Sequence, residues 1–298
     1  MKKKKLHTLP YHLMLFPGMV FLVIFCIVPM FGAVIAFQDF EPVKGIWGSE
    51  FVGLKNFRRI FLIPDSKQII WNTVIIAVSK MVLNIIVPLF FAIVLNECRR
   101  KLFKRVVQTV VYLPNFLSWV IVAIMLGNVF GPVGALNSLL RSLGWEEPIL
   151  FLANNTWFRP IIIGSDVWKG FGYGAIVYLA AIMNIDSTLY EAADIDGASR
   201  LQKVVKITVP MIMPTVILMA TLSLGNVLNA GFDQIFNMYS PLVYETGDII
   251  DTYVYRMGLV KMQYSFGTAV GLLKSAISFA LIAVSYKLAD KFAGYRIF

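Results

Sequence analysis

The chain has 298 residues, of which 58% are apolar and 15% are charged, and its net charge is +10. Soluble domains average about 25% charged residues, so this composition, with its long apolar blocks, indicates a polytopic membrane protein. The basic residues lie beside those blocks, where they orient a chain in the membrane, which argues against a nucleic-acid-binding surface. Cys26 lies in an apolar run and Cys98 in a basic loop, so we expect neither a disulfide nor a zinc site.

The first apolar run covers residues 13–37 and follows the lysines at positions 2–5. It is too long for the apolar part of a signal peptide, and no small-residue cleavage pattern follows it. We therefore interpret it as an uncleaved first membrane span, bent by Pro17 and Pro29. Residues 1–70 are then a cytoplasmic tail, this span and an extracellular loop.

Five further apolar runs follow, each about 20 to 25 residues long, which is enough to cross a hydrocarbon core of about 30 Å. They cover residues 71–95, 107–130, 160–183, 211–234 and 268–288, and Pro114 interrupts the second of them. These patterns predict an all-α membrane protein with six transmembrane helices. Residues 71–290 form its membrane core, and residues 291–298 form a cytoplasmic C-terminal tail.

The basic residues outside the spans are unevenly distributed. Most of them lie in short segments on the side of the two termini, including residues 2–5, 99–105 and 200–206. By the positive-inside rule, both termini are cytoplasmic. The loop between the fourth and fifth spans, residues 186–210, then faces the cytoplasm as well.

This loop carries the signals of two short helices. Thr188 and Glu191 form the pattern T-x-x-E, a capping box that begins the first helix by satisfying its free N–H groups. The dipeptide Asp196-Gly197 is a turn signal that ends this helix.

A second helical pattern follows the turn, with apolar positions at i, i+3, i+4 and i+7. The pattern begins at Leu201 and runs to Thr208, and Pro210 ends the helix. The first helix exposes the small residues Ala192 and Ala193, so that another backbone can approach it closely. A helix–turn–helix of this kind suits docking into a groove on another protein.

The same loop carries the family resemblance. The spacing resembles the EAA loop of ABC importer permeases and is carried by Glu191-Ala192-Ala193, Gly197, Ile207 and Pro210. Val209 is a conservative departure, because the family usually has Leu there. The segments Trp168-Lys169-Gly170-Phe171-Gly172 and Ile195-Asp196-Gly197-Ala198-Ser199 resemble carbohydrate-uptake permeases, in particular the group for polysaccharides and complex oligosaccharides.

The resemblance implies the six-span type I permease fold in a bacterial plasma membrane. It implies as partners two ATPase subunits, a second similar permease and an extracellular solute-binding protein. The residues implied in coupling to the ATPase are Glu191, Ala192, Ala193, Asp194, Gly197, Ile207 and Pro210. An oligosaccharide or polysaccharide fragment is the implied substrate.

Catalytic motifs are absent from the sequence. Gly271–Ser275 resembles only the end of a P-loop and lies in a span, so we expect no ATP site on this chain. The two histidines, His7 and His12, lie in the N-terminal tail. The sequence therefore predicts a non-catalytic subunit without a metal or cofactor of its own, whose partner ATPase uses ATP and Mg²⁺.

Charged residues inside spans are the usual markers of function in membrane proteins. Asp166 and Lys169 are one helical turn apart, so they are expected to pair. Lys80 and Lys274 would either snorkel to the membrane surface or neutralise another helix. A uronate-rich sugar would suit a pathway that contains Lys80, Lys169 or Lys274.

Candidates for the substrate pathway are polar and aromatic residues on spans three to five, because sugars stack on aromatic rings and bond amides and carboxylates. The third span contributes an i, i+4 pair, the fourth two aromatic residues that flank Gly170, Gly172 and Gly174, and the fifth one helix face at i, i+3 and i+7. They are Asn115, Trp119, Trp168, Tyr173, Asn226, Asn229 and Asp233. The alternative is structural: aromatic residues anchor spans at the interface, asparagines bond neighbouring helices, and the glycines allow close packing or local unwinding.

A second function remains open from the sequence, namely an ATP-independent secondary transporter or channel for a small polar solute. Such proteins often contain inverted repeats and ion-coupling groups at the membrane midplane. No repeat is evident here, and the docking loop would be left without a role. A membrane scaffold without transport activity is a third, less specific possibility.

Overall fold

The computed structural model describes residues 2–293 and is predominantly helical. The chain divides into two compact units. The first combines the residues up to Ser66 with Tyr253–Ser275, and the second combines Lys67–Thr252 with the residues from Ala276 onward. The predicted tail at 291–298 lies mostly outside the described residues.

The first helices and both strands belong to the first unit. In order they are α1 (Lys2–Leu22), a π-helical turn (Val23–Ile27), α2 (Val28–Met30), a 3-10 segment (Phe31–Phe37), β1 (Gln38–Asp39), α3 (Gly45–Gly48), β2 (Glu50–Phe51) and α4 (Lys55–Leu62). The strands pair antiparallel, with Gln38 opposite Phe51 and Asp39 opposite Glu50.

The membrane core follows. Its helices are α5 (Ser66–Asn96), α6 (Lys101–Tyr112), α7 (Trp119–Phe130), α8 (Ala135–Ser142), α9 (Asn155–Met183), α10 (Ser187–Ile195), α11 (Arg200–Lys203), α12 (Val209–Leu224), α13 (Phe232–Met238), α14 (Tyr244–Gly247), α15 (Ile250–Val254) and α16 (Tyr264–Ala293). Short 3-10 segments lie at Leu113–Phe116, Phe151–Ala153 and Pro241–Val243, and π-helical turns lie at Val204–Thr208 and Tyr255–Val260.

Five helices within the described residues are long and apolar enough to cross a membrane. They are Leu9–Phe37, Ser66–Asn96, Trp119–Ser142, Arg200–Leu224 and Tyr264–Ser285. The predicted fourth span lies within α9, which is not among the five. Asp166, Lys169 and four glycines lower the hydropathy of this helix, although its length suffices.

The structure corrects the predicted fifth span, residues 211–234. Its helix α12 ends at Leu224, and the next helix begins only at Phe232. Gly231 between them has φ +91°, a left-handed conformation that interrupts the helix. The expected interruption of the third span at Pro114 is confirmed, because α6 and α7 are separate helices joined by a 3-10 segment.

The core of the second unit is apolar and lies where α9 meets its neighbours. Around Phe158 and Ile162 it includes Ile76 of α5 and Ile235 of α13, all of them fully buried. Close packing of glycines on α9 is confirmed: a Cβ on Gly172 would lie 2.6 Å from Val111 Cγ1, and one on Gly174 would lie 3.2 Å from Pro88 Cγ. Local unwinding is wrong, because α9 runs unbroken through these glycines.

Candidate coupling surface and intramembrane polar cluster

The first helix of the loop, α10, is capped by a residue that the sequence reading missed. Asp186 Oδ1 accepts a hydrogen bond from the Thr188 amide at 2.9 Å. The expected capping box at Thr188 and Glu191 is therefore wrong, because the carboxylate of Asp186 takes the N-cap position and Thr188 falls inside the first turn. The Thr188 N–H, which donates to this carboxylate, lowers its pKa below the ordinary value.

A capping box does occur, but at the start of the second helix. The Ser199 amide donates to Gln202 Oε1 at 2.7 Å, and the Gln202 amide donates to Ser199 Oγ at 3.3 Å. Between the helices, Gly197 has φ +72°, so the predicted turn at Asp196-Gly197 is confirmed. Lys203 Nζ then pairs with Asp194 Oδ1 at 2.7 Å, which joins the two helices of the hairpin.

The second helix does not end at Pro210, contrary to the prediction. The π-helical turn Val204–Thr208 leads directly into α12, and the Val209 amide donates to the Val204 carbonyl. In this wider turn the hydrogen bonds span five residues, so the helix continues past a proline that lacks an N–H. The hairpin is thus continuous with α12, a helix that is apolar enough to cross a membrane.

The outer surface of this hairpin is apolar, with an acidic margin along α10 and with exposed basic residues, Arg200 and Lys206, on the second helix. Ile195 and Leu201 are 87% and 72% exposed, and Glu191 and Asp196 are also exposed. Large exposed apolar side chains rimmed by polar ones mark protein–protein interaction sites. Of the other predicted coupling residues, those that are exposed are Ala192, Asp194, Gly197 and Pro210, and those that are half-buried are Ala193 and Ile207.

A charged cluster in the membrane core joins three separate parts of the chain. Lys80 on α5 is 5% exposed; its Nζ donates to the Ala230 carbonyl at 2.7 Å and to Gln234 Oε1. Lys80 Nζ also lies 3.4 Å from Asp166 Oδ1 on α9. Asn84 donates to the other oxygen of Asp166 at 2.9 Å.

Lys80 therefore neutralises another helix, which is one of its two predicted roles. The expected pairing of Asp166 with Lys169 is wrong. Lys169 Nζ instead donates to the Asn115 carbonyl at 2.9 Å and lies 5.4 Å from the centre of the Trp119 ring. Spacing along a helix brings side chains near each other, but here each of the two turns to a different neighbouring segment.

The break in the fifth span depends on this cluster. Ala230 lies between α12 and α13, so its carbonyl has no hydrogen-bond partner within a helix. Inside a membrane such a carbonyl needs a donor from elsewhere in the protein. Lys80 supplies it. Gln234 donates in turn to the Ile162 carbonyl at 2.7 Å and to Ser165 Oγ at 2.9 Å, which fixes the first turn of α13 to α9. Sequence reasoning missed Gln234 and Asn84, whose only signal was a polar amide within an apolar run.

The pathway candidates are placed differently from the prediction. The i, i+4 face of Asn115 and Trp119 is wrong, because the helix breaks between them, yet Lys169 contacts both. The common face of Asn226, Asn229 and Asp233 is also wrong, because α12 ends before it. The Asn229 side chain accepts from the Gly231 amide at 3.4 Å, and Asp233 lies in the first turn of α13.

The two aromatic candidates of α9 are both exposed, Trp168 to 40% and Tyr173 to 56%. Trp168 lines a cavity of about 750 Å³ between α7, α8 and α9. Apart from Ser165 and the indole N–H groups, its wall is formed by apolar side chains and Gly164. A sugar site needs several convergent polar groups, so this cavity does not suit a carbohydrate.

Comparison with known proteins agrees with the interpretation of the loop and of the apolar helices as parts of a transport permease. The sequence model of the family described as "Binding-protein-dependent transport system inner membrane component" matches residues 84–293. The chain belongs to this family. Protein LplB of Bacillus subtilis (strain 168) is 41% identical to the permease over 94% of this chain and 88% of its own length. The polygalacturonan/rhamnogalacturonan transport system permease protein YteP of the same organism is 41% identical over 96% and 89%.

A solved structure is similar over the whole length of the permease. It is the crystal structure of a bacterial alginate ABC transporter in complex with an alginate pentasaccharide-bound periplasmic protein. One of its chains matches with a TM-score of 0.91 and 33% identity, covering 100% of this chain and 99% of that one.

These findings confirm the resemblance read from the loop. The permease is the multi-pass inner-membrane component of an ABC importer and is not catalytic itself, since separate ATPase subunits hydrolyse ATP. It works with those ATPases, a second permease and a binding protein.

Proposed function

We propose that this permease imports an acidic oligosaccharide that its binding protein delivers. The names of two similar proteins support this substrate class, since they concern polygalacturonan/rhamnogalacturonan and the acidic polysaccharide alginate. One geometric observation carries the proposal: the half-buried ammonium group of Lys169 lies beside the Trp119 ring. A cation next to an aromatic face is what a uronate needs, a charge for the carboxylate and a surface for the ring. Lys80 is less suited, because Asp166 already neutralises it.

In this proposal the permease has the six-span type I fold. The fourth span is α9, whose charged residues lower its hydropathy. Both termini are cytoplasmic in this proposal, as the basic residues of the short segments favour. The hairpin of α10 and α11 then faces the cytoplasm, where the ATPase subunits bind ATP and Mg²⁺. The permease binds neither.

Coupling runs through the hairpin in this proposal. Closure of the ATPase dimer displaces Ile195 and Leu201, and the continuous helix through Pro210 transmits the displacement to the fifth span. The two arrangements of the spans are the states whose balance ATP shifts. The acidic margin, with Glu191 and Asp196, meets basic groups on the rim of the ATPase groove.

The coupling test measures ATPase activity of the purified complex with binding protein and sugar. We expect Glu191→Lys to reduce the stimulation by loaded binding protein about tenfold, as expected for the loss of a charge-assisted contact at an interface. The matched control is Glu147→Lys, which reverses an exposed glutamate on a different loop. Unchanged stimulation in Glu191→Lys would exclude this residue from the coupling contact.

The substrate test compares uptake of a galacturonate oligosaccharide with uptake of a neutral one of equal length. We expect the wild type to prefer the acidic sugar and Lys169→Met to lose that preference by raising the KM for the acidic sugar alone. Equal uptake of both sugars by the wild type would contradict the acidic substrate but leave the importer assignment intact.

A further inference from the structure

Helix α4 is held by hydrogen bonds to residues at the end of the first apolar helix and to the first residue of the second. Asn56, which is buried, donates to the Ala36 carbonyl at 3.0 Å and to the Gln38 carbonyl at 2.9 Å, where the first span ends. On the other side, Ser66 Oγ donates to the Ile60 carbonyl, and Ser66 is the first residue of the second span. The helix therefore lies beside the end of one helix and the start of another that are both apolar enough to cross a membrane.

The inner and outer faces of α4 differ sharply. Asn56 and Ile60, one turn apart, form its buried face. The outward face, together with the N-cap residue, combines bulky apolar and basic side chains, all of them exposed: Leu54, Lys55, Arg58, Arg59, Phe61 and Leu62. Leu54, Phe61 and Leu62 are 57%, 71% and 80% exposed. Such a mixture is unfavourable against water but typical of a helix in the headgroup region, where the apolar groups enter the acyl boundary.

The basic side chains line one groove. Its volume is about 700 Å³, and its wall consists of Val52, Leu54, Lys55, Arg58, Arg59 and Leu62. No carboxylate is part of this wall. The Arg59 guanidinium lies 5.0 Å from the centre of the Phe266 ring, which holds one side of the groove in place.

We propose that this groove binds the headgroup phosphate of an anionic phospholipid. Lys55 and Arg58 neutralise the phosphate, with Arg59 at the rim, and Leu54 and Leu62 contact the first segments of the acyl chains. The position between two span ends favours a lipid over a soluble ligand, because the bilayer brings headgroups to this depth. The inference is independent of the transported sugar and of which membrane face carries α4.

The test uses the assembled importer in nanodiscs of an equal mixture of phosphatidylcholine and phosphatidylglycerol. Retained lipid is counted by native mass spectrometry after mild detergent extraction. We expect the wild type to retain phosphatidylglycerol and Lys55→Gln/Arg58→Gln to retain about tenfold less, as two surface cations near a charged membrane imply. Arg59 is left unchanged because it contacts Phe266. The matched control is Lys44→Gln, since Lys44 on the same loop is already paired with Glu41 at 2.7 Å.

The outcomes separate the possible ligands. Loss of phosphatidylglycerol in the double variant but not in Lys44→Gln supports the lipid site. Equal retention in all three proteins, or no preference for phosphatidylglycerol in the wild type, overturns it. Displacement of the bound lipid by a soluble galacturonate oligosaccharide would also overturn it, because the groove would then be a sugar site. A folding defect is recognised by the yield of the complex, and Arg58→Lys, which keeps the charge, should then retain the lipid.

Discussion

Lys80 is the residue on which the polar cluster of the membrane core depends. We expect Lys80→Met to destabilise the purified importer by about 2 kcal/mol, since it leaves the Asp166 carboxylate without its cation and the Ala230 carbonyl without its donor. Thermal unfolding of the complex in detergent measures this loss.

The matched control removes both charges of the cluster. Lys80→Met/Asp166→Asn leaves no unpaired charge in the core, so it should recover part of the stability lost in Lys80→Met. A double variant that is less stable than both single variants would show that the ion pair is not the reason for the effect.

The cap of α10 gives the coupling hairpin a pH dependence. Hydrogen bonds from Thr188 lower the pKa of Asp186 in the folded loop. A carboxylate whose pKa is lower in the folded than in the unfolded state stabilises the folded state at pH values above its unfolded pKa. This stabilisation is lost as the pH falls through the folded pKa. We therefore expect α10 to fray below about pH 4, with faster hydrogen exchange of the amides of its first turn. Asp186→Ala should show the same fast exchange at neutral pH, whereas Asp186→Asn, which keeps an acceptor, should not.

Individual polar contacts were only partly predictable from the sequence. Charge in an apolar run singled out Lys80 and predicted two possible roles, snorkelling to the membrane surface or neutralising another helix, of which the structure shows the second. It was not enough to identify Asp166 as the partner, because Asp166 lies on a different helix. The sequence suggested Lys169 as the partner of Asp166, but Lys169 contacts Asn115 instead. Local spacing contains no information about which helix packs beside which.

Gly197 fixes the geometry of the turn between the two helices of the hairpin. Its φ of +72° is strained for residues with a Cβ, although the space around it is open. We expect Gly197→Val to cost about 1–2 kcal/mol in the turn and to reduce transport several-fold, while the protein still inserts into the membrane. Gly197→Asn is the control, because asparagine tolerates the left-handed conformation. Normal uptake by Gly197→Val, measured with the loaded binding protein, would show that the turn does not transmit movement.

The apolar runs of the sequence predicted the positions of the helices better than their ends. The fifth span was predicted to reach Gln234, across residues 225–234, in which apolar and polar side chains are mixed. The helix ends at Leu224. The buried carbonyl of Ala230, which lies outside any helix, is satisfied because Lys80, 150 residues away in the sequence, donates to it. The helix past Pro210 was missed for a related reason: a π-helical turn has no signature in a periodicity of 3.6 residues.

For the whole molecule, the family was recognisable from the short loop, since its fixed residues must fit a partner. The contacts of the pathway candidates were not, because they involve segments that meet only in the folded membrane core, as when Lys169 contacts Asn115 and Trp119. The orientation of the chain rests on charge alone, so it needs a direct measurement.

The two native cysteines allow that measurement without a cysteine-free background. Cys98 lies in the segment between α5 and α6, which the charge distribution assigns to the cytoplasm, whereas Cys26 lies in the first membrane helix. A membrane-impermeant maleimide should therefore label neither in intact cells, because only a thiolate in water reacts. In inverted vesicles we expect labelling of Cys98 alone.

A cysteine on the opposite surface completes the test. Val43 is 99% exposed and lies between β1 and α3, in the segment that the same charge distribution assigns to the outside. Val43→Cys should be labelled in intact cells, and Cys98→Ser should abolish labelling in inverted vesicles. The reverse pattern, with Cys98 labelled from outside, would place the hairpin of α10 and α11 on the outer surface. The ATPase could not then reach it, and coupling through Ile195 and Leu201 would be excluded together with the proposed orientation.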